Sequence, residues 1–287
     1  MRIGLHALGI GAGADPLVIS AVAGTAEHCG FATLWAGEHV VMVDRTDSTY
    51  PYADDGRIAV PSAADWLDPL DLLAFLSATT STIRLATGVL LLPEHNPVVV
   101  AKRAATVDVL SGGRLTLGIG IGWSAEEFAA LGVPFHGRGT RAEEYIDVLR
   151  ALWRDDVASH TGSHVQFDRV RSYPKPIRRV IPVVLGGNSD GALERVARCA
   201  DGWYGFNLSL ETLPERLGFL RSACLERGRP ASGLDIAVAL IGASATDLPE
   251  LEALGVSEIV LVEAPPPDGR DAADWVEGLA RTWRVTA

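Results

Sequence analysis

The sequence predicts an α/β fold, a (β/α)8 barrel of the TIM type, and three observations lead to that prediction. Eight apolar runs rich in β-branched residues follow one another along the chain. A stretch of helix-compatible length comes after every run. The runs are nearly uninterrupted in hydrophobicity, as strands are when both faces of a parallel sheet are covered. Such barrels carry their functional residues at the carboxyl ends of the strands, so those positions matter most.

The predicted strands divide the chain into eight strand-helix units. They are Ile3–Leu8, Phe31–Trp35, Ile83–Leu90, Leu115–Ile121, Ile181–Leu185, Trp203–Phe206, Leu234–Ile241 and Glu258–Val262. The length of 287 residues exceeds the ~250 typical of one such barrel but lies within its range. No linker interrupts the pattern, so we predict a single domain over residues 1–287.

Helix start signals support this division. Asp15 and Asn96 each precede a proline, which gives an N-cap residue followed by Pro at the first helical position. The second of these signals predicts a helix over Val98–Leu110. Ser124 and Glu127 have the spacing of a capping box. Start signals for the last two helices are predicted at Asp247 and Asp271.

Two connections are longer than a compact barrel needs. Glu38–Asp65 follows the second strand, and Asp155–Arg179 precedes the fifth. Long loops in compact domains are usually functional or mobile, so the first is expected to cover the site. Alternation over Ser163–Val170 predicts a small hairpin outside the barrel.

Composition and charge limit the kinds of molecule that the protein is expected to bind. The formal net charge is −11 and no basic cluster occurs, which argues against nucleic acid and anionic membrane surfaces. No apolar run is long enough to span a membrane. The three cysteines form no CxxC pair and are expected to be reduced thiols in a cytoplasmic protein. His160 and His164 have neither helical register nor an intervening Glu, so no metal site is predicted.

The first candidate site is Glu38-His39, directly after the second strand. An imidazole there could donate a hydrogen bond or move a proton near neutral pH. The second is Gly88-Val89, because a Gly late in a strand suggests a bulge or close approach of backbone to a ligand. Glu94 and His95 follow in a polar turn that fits a functional or an exposed position equally well.

Glycines mark the third candidate, Gly118–Gly122. They match a loose dinucleotide fingerprint, but the acids Glu143 and Glu144 lie inside a predicted helix. A dinucleotide fold places its acid at the end of the next strand, so that interpretation is disfavoured. Glycines here still allow a flat ligand to lie against bare backbone.

The fourth candidate, Gly187-Asn188-Ser189-Asp190-Gly191, has the spacing of a hydrolase nucleophile elbow. Every histidine of the chain precedes Ser189, whereas that fold places its His after the Ser. The better interpretation is an anion site, because the loop offers N–H groups and a hydroxyl at a helix N-terminus.

Together these stretches resemble the bacterial-luciferase-like superfamily, in particular its branch of actinobacterial oxidoreductases that depend on coenzyme F420. The resemblance runs from Met1 to about Val262 and includes the segment TGVLLLPEHNPVVVAKRAATVDVLSGGRLTLGIGIGW. It implies a usually dimeric barrel that binds a flavin or deazaflavin at its carboxyl mouth.

The resemblance also implies residue roles. Glu38 and His39 match the acidic-His pair beside the ring, with His95 as a further cofactor residue and a possible proton donor. Gly88-Val89 matches a bulge, often a non-prolyl cis peptide, that backs the ring. Backbone contacts to the ring and to the phosphate tail fall on a common set of loop residues: Ile121, Gly122, Gly187, Asn188 and Ser189.

One departure matters. The family's sugar-phosphate dehydrogenases carry a Glu where this chain has Trp123, so that activity is not expected.

The sequence predicts hydride transfer between F420 and a small organic substrate, with Glu38 and His39 as catalytic residues. Three alternatives stay open: an FMN-dependent monooxygenase on the same barrel, a non-catalytic flavin or deazaflavin carrier, and a hydrolase built on Ser189.

Overall fold

A computed structural model describes residues 1–286 and contains eleven strands. The domain predicted for 1–287 includes residue 287, which lies outside the described residues. The strands are β1 (Arg2–Leu8), β2 (Thr33–Ala36), β3 (Arg84–Thr87), β4 (Leu90–Leu91), β5 (Leu115–Gly120), β6 (Ala158–Thr161), β7 (Gln166–Val170), β8 (Val183–Gly186), β9 (Gly202–Ser209), β10 (Asp235–Ile241) and β11 (Glu258–Val262).

Nine of these strands form one parallel sheet that closes on itself. The order is β3-β2-β1-β11-β10-β9-β8-β5-β4, and β3 also pairs with β5. The short strands β3 and β4 are successive parts of one barrel position, since both pair with β5. The sheet therefore has eight positions, which confirms the predicted (β/α)8 barrel.

Nine α-helices accompany the strands of the described chain. They are α1 (Pro16–Cys29), α2 (Pro69–Thr79), α3 (Pro97–Leu110), α4 (Ala125–Ala130), α5 (Arg138–Arg154), α6 (Asp190–Cys199), α7 (Leu213–Glu226), α8 (Leu248–Ala253) and α9 (Gly269–Trp283). Short 3-10 turns occur at Gly11–Ala14, Leu92–Glu94 and Ala231–Gly233.

Several predicted helix starts are confirmed by side-chain caps. The carboxylate of Asp15 accepts hydrogen bonds from Leu17 N and Val18 N. Asn96 caps α3, and Ser124 caps α4. The predicted start at Asp247 is confirmed, because α8 begins directly after it, although the Asp247 side chain makes no cap hydrogen bond. The predicted start at Asp271 was wrong, because Asp268 caps α9, which begins earlier.

Strand bounds also differ from the prediction in one informative place. The run Ile83–Leu90 is not one strand, because a cis peptide joins Gly88 to Val89 and separates β3 from β4. The apolar pattern is continuous through this point, so hydrophobicity alone does not reveal the interruption. The predicted hairpin outside the barrel exists as antiparallel β6 and β7, although its first strand precedes Ser163.

The amino ends of the strands are held together by a buried carboxylate. Glu258 opens β11 and is 1% exposed. It accepts hydrogen bonds from Thr33 Oγ1 (3.1 Å), Trp35 Nε1 (2.8 Å), Arg2 Nε (3.1 Å) and Arg84 Nη2 (2.8 Å). Residues at this end of a barrel serve stability rather than chemistry. Within residues 1–286, no helix has both the length and the apolar character that crossing a bilayer demands.

Candidate functional site

A cavity of about 930 Å³ opens at the carboxyl ends of the barrel strands. One side carries glycines that follow β3, β5 and β8. The opposite side carries apolar and aromatic residues from β1, β9, β11 and the loop between β2 and α2. Nine of the ten residues predicted for the site line this cavity: Glu38, His39, Gly88, Val89, Ile121, Gly122, Gly187, Asn188 and Ser189; the tenth, His95, does not.

The glycine side is organised around Val89. The peptide bond between Gly88 and Val89 is cis, as the resemblance implied. A Cβ atom on Gly120 would lie 2.6 Å from Val89 Cγ2, and one on Gly186 would lie 3.1 Å from Val89 Cγ1. The Val89 side chain therefore packs over Gly120, where only Gly leaves room, and lies close over Gly186. This wall of the cavity is built from backbone and one small side chain.

The carboxylate of Glu38 binds the backbone that follows Val89. Its Oε2 accepts a hydrogen bond from Leu91 N at 2.6 Å, and its Oε1 lies 3.0 Å from His95 Nε2. His95 is thus placed behind Glu38 rather than on the cavity surface, because the buried carboxylate binds the imidazole. Burial alone lowers the pKa of His95, but the hydrogen bond and charge of Glu38 outweigh it and raise that pKa.

His39 is held by a residue that the sequence pattern assigned to another role. Its Nδ1 lies 2.7 Å from Oε2 of Glu127, a carboxylate that is almost fully buried. Glu127 was predicted to reach back to Ser124 as part of a capping box, which is wrong for its side chain. The imidazole also makes edge contacts with Trp66 and Trp123, at 4.8 and 5.8 Å between ring centroids.

A third carboxyl group, that of Glu94, lies next to the cavity residue Gly122. Glu94 is 7% exposed, and neither carboxyl oxygen has a hydrogen-bond partner within the described chain. A Cβ on the cavity residue Gly122 would approach Glu94 Oε1 to 2.9 Å. Burial and the negative charges of Glu127 and Glu38 raise the pKa of Glu94 to about 9. Glu94 is therefore protonated at neutral pH.

The predicted anion loop lies between β8 and α6. The Ser189 hydroxyl accepts a hydrogen bond from Ala192 N at 3.3 Å, which caps α6. The Asn188 amide donates to Phe206 O at 2.6 Å and fixes the loop to β9.

Sequence reasoning missed Arg138, which also lines the cavity and donates from Nε to Gly122 O at 3.0 Å. Burial and the charges of Arg195 and Arg141 lower the pKa of Arg138.

The loop between β2 and α2 covers part of the mouth. Its Tyr50 and Tyr52 rings contact each other at 5.4 Å between centroids, and they extend to Trp123 and Phe206. Asn207 Nδ2 donates to Tyr52 O at 3.1 Å, which joins the loop to the far side of the barrel. Burial raises the pKa of Tyr52 to about 12, so its hydroxyl stays neutral.

At the floor of the cavity, sequence reasoning missed a second histidine. His6 lies within β1, is 8% exposed, and has Nδ1 3.3 Å from the Tyr204 hydroxyl. The Tyr204 ring stacks on Trp35 with 4.7 Å between centroids. Burial lowers the pKa of His6 to about 4, so the imidazole is neutral. The one available sequence signal was a histidine inside an otherwise apolar strand.

The chain is similar to a known protein family and to individual relatives. The sequence profile described as "Luciferase-like monooxygenase" matches residues 6–258. An uncharacterized protein of Mycobacterium tuberculosis is 36% identical over 263 residues, which cover 91% of this chain and 92% of that protein. An FMNH2-dependent dimethylsulfone monooxygenase of Pseudomonas putida is 30% identical over 157 residues, but these cover 53% of this chain and 43% of that enzyme.

Solved structures show the same barrel. The coenzyme F420-dependent tetrahydromethanopterin reductase of Methanopyrus kandleri superposes with a TM-score of 0.75 over 98% of this chain and 97% of that one. The sequence identity is 16%, so this likeness speaks for the fold.

Proposed function

The chain belongs to the luciferase-like monooxygenase family, and from that premise we propose that it is an F420-dependent oxidoreductase. A bound deazaflavin would supply the hydride chemistry, exchanging a hydride with a small organic substrate. The observation that carries the proposal is the joint presence, in one cavity, of a backbone wall for a flat ring and an anion loop for a phosphate tail.

The wall fits a planar ring because it lacks protruding side chains. Gly120 leaves no room for a Cβ beside Val89, and Gly186 leaves little, so a larger residue at Gly120 would shift Val89. Gly88-Val89, Ile121 and Gly122 would contact the ring, and Glu38 and His95 would hold the bulge in place. The proposed ring contacts follow the family positions, whereas the roles proposed for Glu38 and His95 follow from their hydrogen bonds.

The anion loop fits a phosphate because its donors are at a helix N-terminus. Gly187, Asn188 and Ser189 precede α6 and line the same cavity as Arg138. The helix dipole favours negative charge at the loop, and the guanidinium favours it elsewhere in the same cavity. We therefore add Arg138 to the proposed cofactor-binding residues.

His39 is the proposed catalytic residue that faces the ring and substrate. Glu127 fixes its Nδ1, which leaves Nε2 as the nitrogen available to a ligand. Such an imidazole can donate a hydrogen bond to the reacting group and exchange a proton with it. Glu38, the other predicted catalytic residue, is proposed to act on the bulge and on His95 instead of on the substrate. The loop between β2 and α2 would limit the access of water.

The second candidate is an FMN-dependent monooxygenase. One specific observation favours it, namely the 30% identity to the FMNH2-dependent relative across about half of this chain. Both cofactors present a tricyclic ring and a phosphate, so the same wall and the same loop suit each. A carrier that binds either cofactor without turnover uses this cavity as well. The Ser189 hydrolase has less support, because that hydroxyl caps α6.

The discriminating experiment is a fluorescence-quench titration of the purified protein with oxidised F420 and with FMN, side by side. We expect F420 to bind with a micromolar or lower dissociation constant and FMN to bind at least tenfold more weakly. Binding of FMN alone would overturn the deazaflavin assignment. Binding of F420 without turnover over a broad panel of ketones, alcohols and imines would favour the carrier.

We further propose a cytoplasmic homodimer, as the family resemblance implies. Exposed Val98, Val99 and Tyr173 line a hollow between α3 and the β6–β7 hairpin, and they supply apolar surface for such a contact. Light scattering during size-exclusion chromatography gives the mass directly, and a mass of one chain would contradict the dimer.

A further inference from the structure

The side of the cavity formed by Gly120, Gly186 and Val89 is called the glycine wall, and the opposite side the apolar half. The two sides differ in polarity. The apolar half is lined by Leu8, Tyr52, Trp66, Phe206 and Val262, which are apolar or aromatic. The polar groups at the buried floor are the His6 imidazole and the Tyr204 hydroxyl, and the Tyr52 hydroxyl lies close enough to act on Tyr204. His6 and Tyr204 are neutral at pH 7, since burial lowers the pKa of His6 to about 4 and raises the pKa of Tyr204.

We assign the tautomer of His6 from its contact with Tyr204, in which the imidazole nitrogen either accepts or donates. The Tyr204 hydroxyl hydrogen has one acceptor among the described residues, His6 Nδ1 at 3.3 Å. A neutral imidazole that accepts at Nδ1 carries its hydrogen on Nε2. No residue of the described chain accepts from that Nε2–H, so this donor is left for a ligand in the cavity.

The position of Nε2 shows where such a ligand atom would lie. A Cβ on Gly37 would come within 3.2 Å of His6 Nε2, and a Cβ on Gly88 would come within 3.4 Å of His6 Cε1. The donor edge of the ring thus faces the carboxyl ends of β2 and β3, where two glycines leave space. This is the boundary between the glycine wall and the apolar half.

The charged groups of the cavity lie elsewhere. Glu38 is bonded to Leu91 N and His95, and Arg138 is bonded to Gly122 O. Arg57 and Glu263 line the rim, where both are exposed and opposite in charge. An ionic substrate group would therefore lose its hydration at the floor without gaining a partner, which is costly.

We propose that His6 and Tyr204 bind the carbonyl or hydroxyl oxygen of the substrate, and that the remainder of the substrate is an uncharged, apolar and aromatic-sized group. His6 Nε2 donates to that oxygen, and Tyr204 acts as a positioning residue that holds the imidazole. The assignment rests on the proposed function for the presence of a reacting substrate, but the binding of a probe tests it without turnover.

Three probes separate the features of the proposal: acetophenone, the anionic 4-acetylbenzoate, and ethylbenzene, which lacks the oxygen. Their dissociation constants are measured by NMR titration of the protein alone and of the protein saturated with oxidised F420. We expect acetophenone to bind about tenfold more tightly than either other probe, which corresponds to ~1.4 kcal/mol. Absence of acetophenone binding, or tighter binding of 4-acetylbenzoate, overturns the substrate class.

Variants then test the residues. His6→Leu should weaken acetophenone about tenfold and leave ethylbenzene unchanged, whereas His6→Gln, which retains an N–H donor, should restore most of the affinity. Tyr204→Phe keeps the ring on Trp35 and should weaken acetophenone by several-fold, so it reports on the pair even if His6→Leu misfolds. The matched control is His28→Leu, because His28 is exposed on α1.

The outcomes separate this inference from the proposed function. If acetophenone binds equally to the parent, His6→Leu and Tyr204→Phe proteins, the pair has no role in binding the oxygen. If neither F420 nor FMN binds but acetophenone still depends on His6, the cofactor proposal fails and the present assignment stands.

Discussion

The Nδ1 atom of His39 lies 2.7 Å from Oε2 of Glu127, although 88 residues separate them in the sequence. The other oxygen of the same carboxylate accepts hydrogen bonds from Val40 N at 2.8 Å and Val41 N at 3.2 Å. One buried carboxylate therefore fixes both the imidazole and the start of the loop that covers the cavity. The orientation of His39 depends on α4 as much as on β2.

From this geometry we expect His39→Ala to reduce turnover by about 100-fold while the folded state is kept. A positioned proton-transfer group contributes ~10²–10⁴-fold, and without the ring the buried Glu127 carboxylate still accepts hydrogen bonds from Val40 N and Val41 N. The measurement is the rate of F420 oxidation or reduction with an accepted substrate, together with the thermal midpoint. His136→Ala is the matched control, because His136 is exposed. Unchanged turnover in His39→Ala would remove this residue from the mechanism.

The predicted barrel was confirmed because its signal is local and repeated. A strand covered on both faces must be apolar along its whole length, and the runs at β1, β5 and β11 show this directly. The interruption of the predicted strand at Gly88 could not be read from hydrophobicity. Hydrophobicity reports which residues are buried, but it does not report the isomer of a single peptide bond inside a buried run.

Residue roles that depend on distant partners were the least predictable. Glu127 has the spacing of a capping residue relative to Ser124, but its carboxylate bonds to His39 instead. His6 depends on Tyr204, 198 residues further along the chain. Spacing rules describe neighbours on one helix or strand, whereas these pairs exist only after the barrel has closed.

At the opposite end of the barrel, we expect Glu258→Gln to destabilise the fold without weakening cofactor binding. The substitution removes the buried charge that Arg2 and Arg84 share, but both arginines are about a third exposed and also pair with Asp235. The expected loss is therefore that of a buried hydrogen-bond acceptor, about 1–3 kcal/mol. Urea unfolding gives the change in stability, and the F420 titration gives the affinity.

Glu277→Gln is the control for that experiment, since its carboxylate is 53% exposed and pairs with Arg281, which is 71% exposed. Surface pairs of this kind contribute about 0–1 kcal/mol. Equal stability losses in the two variants would show that the network around Glu258 adds nothing beyond an ordinary surface charge.

Glu94 should make the stability of the fold depend on pH in a definite direction. Its pKa is raised from 4.5 to about 9, so between these values the folded state holds a proton that the unfolded state has released. The free energy of unfolding must then fall as pH rises through this window, by at most ~1.4 kcal/mol per pH unit from this group.

The comparison of parent and Glu94→Gln proteins isolates this effect, because Gln keeps the shape and cannot ionise. Urea unfolding at pH 6 and pH 8 should show the parent losing stability relative to the variant. The rest of the pH dependence is common to both proteins and cancels. A stability difference that does not change between the two pH values would mean that Glu94 ionises in the folded protein as it does in water.

Finally, Gly120→Ala should weaken cofactor binding through Val89. The added methyl group would lie 2.6 Å from Val89 Cγ2, a distance that real contacts do not tolerate, so the Val89 side chain must move toward the cavity. We expect the dissociation constant for F420 to rise by at least tenfold, because the ring would lose its flat support. Gly24→Ala on α1 is the matched control, since a Cβ there meets no atom within 4 Å. In that exposed helical position Ala should stabilise the fold by about 0.5–1 kcal/mol and leave binding unchanged. If Gly120→Ala binds F420 as tightly as the parent protein does, the glycine wall around Val89 is not the surface on which the ring lies.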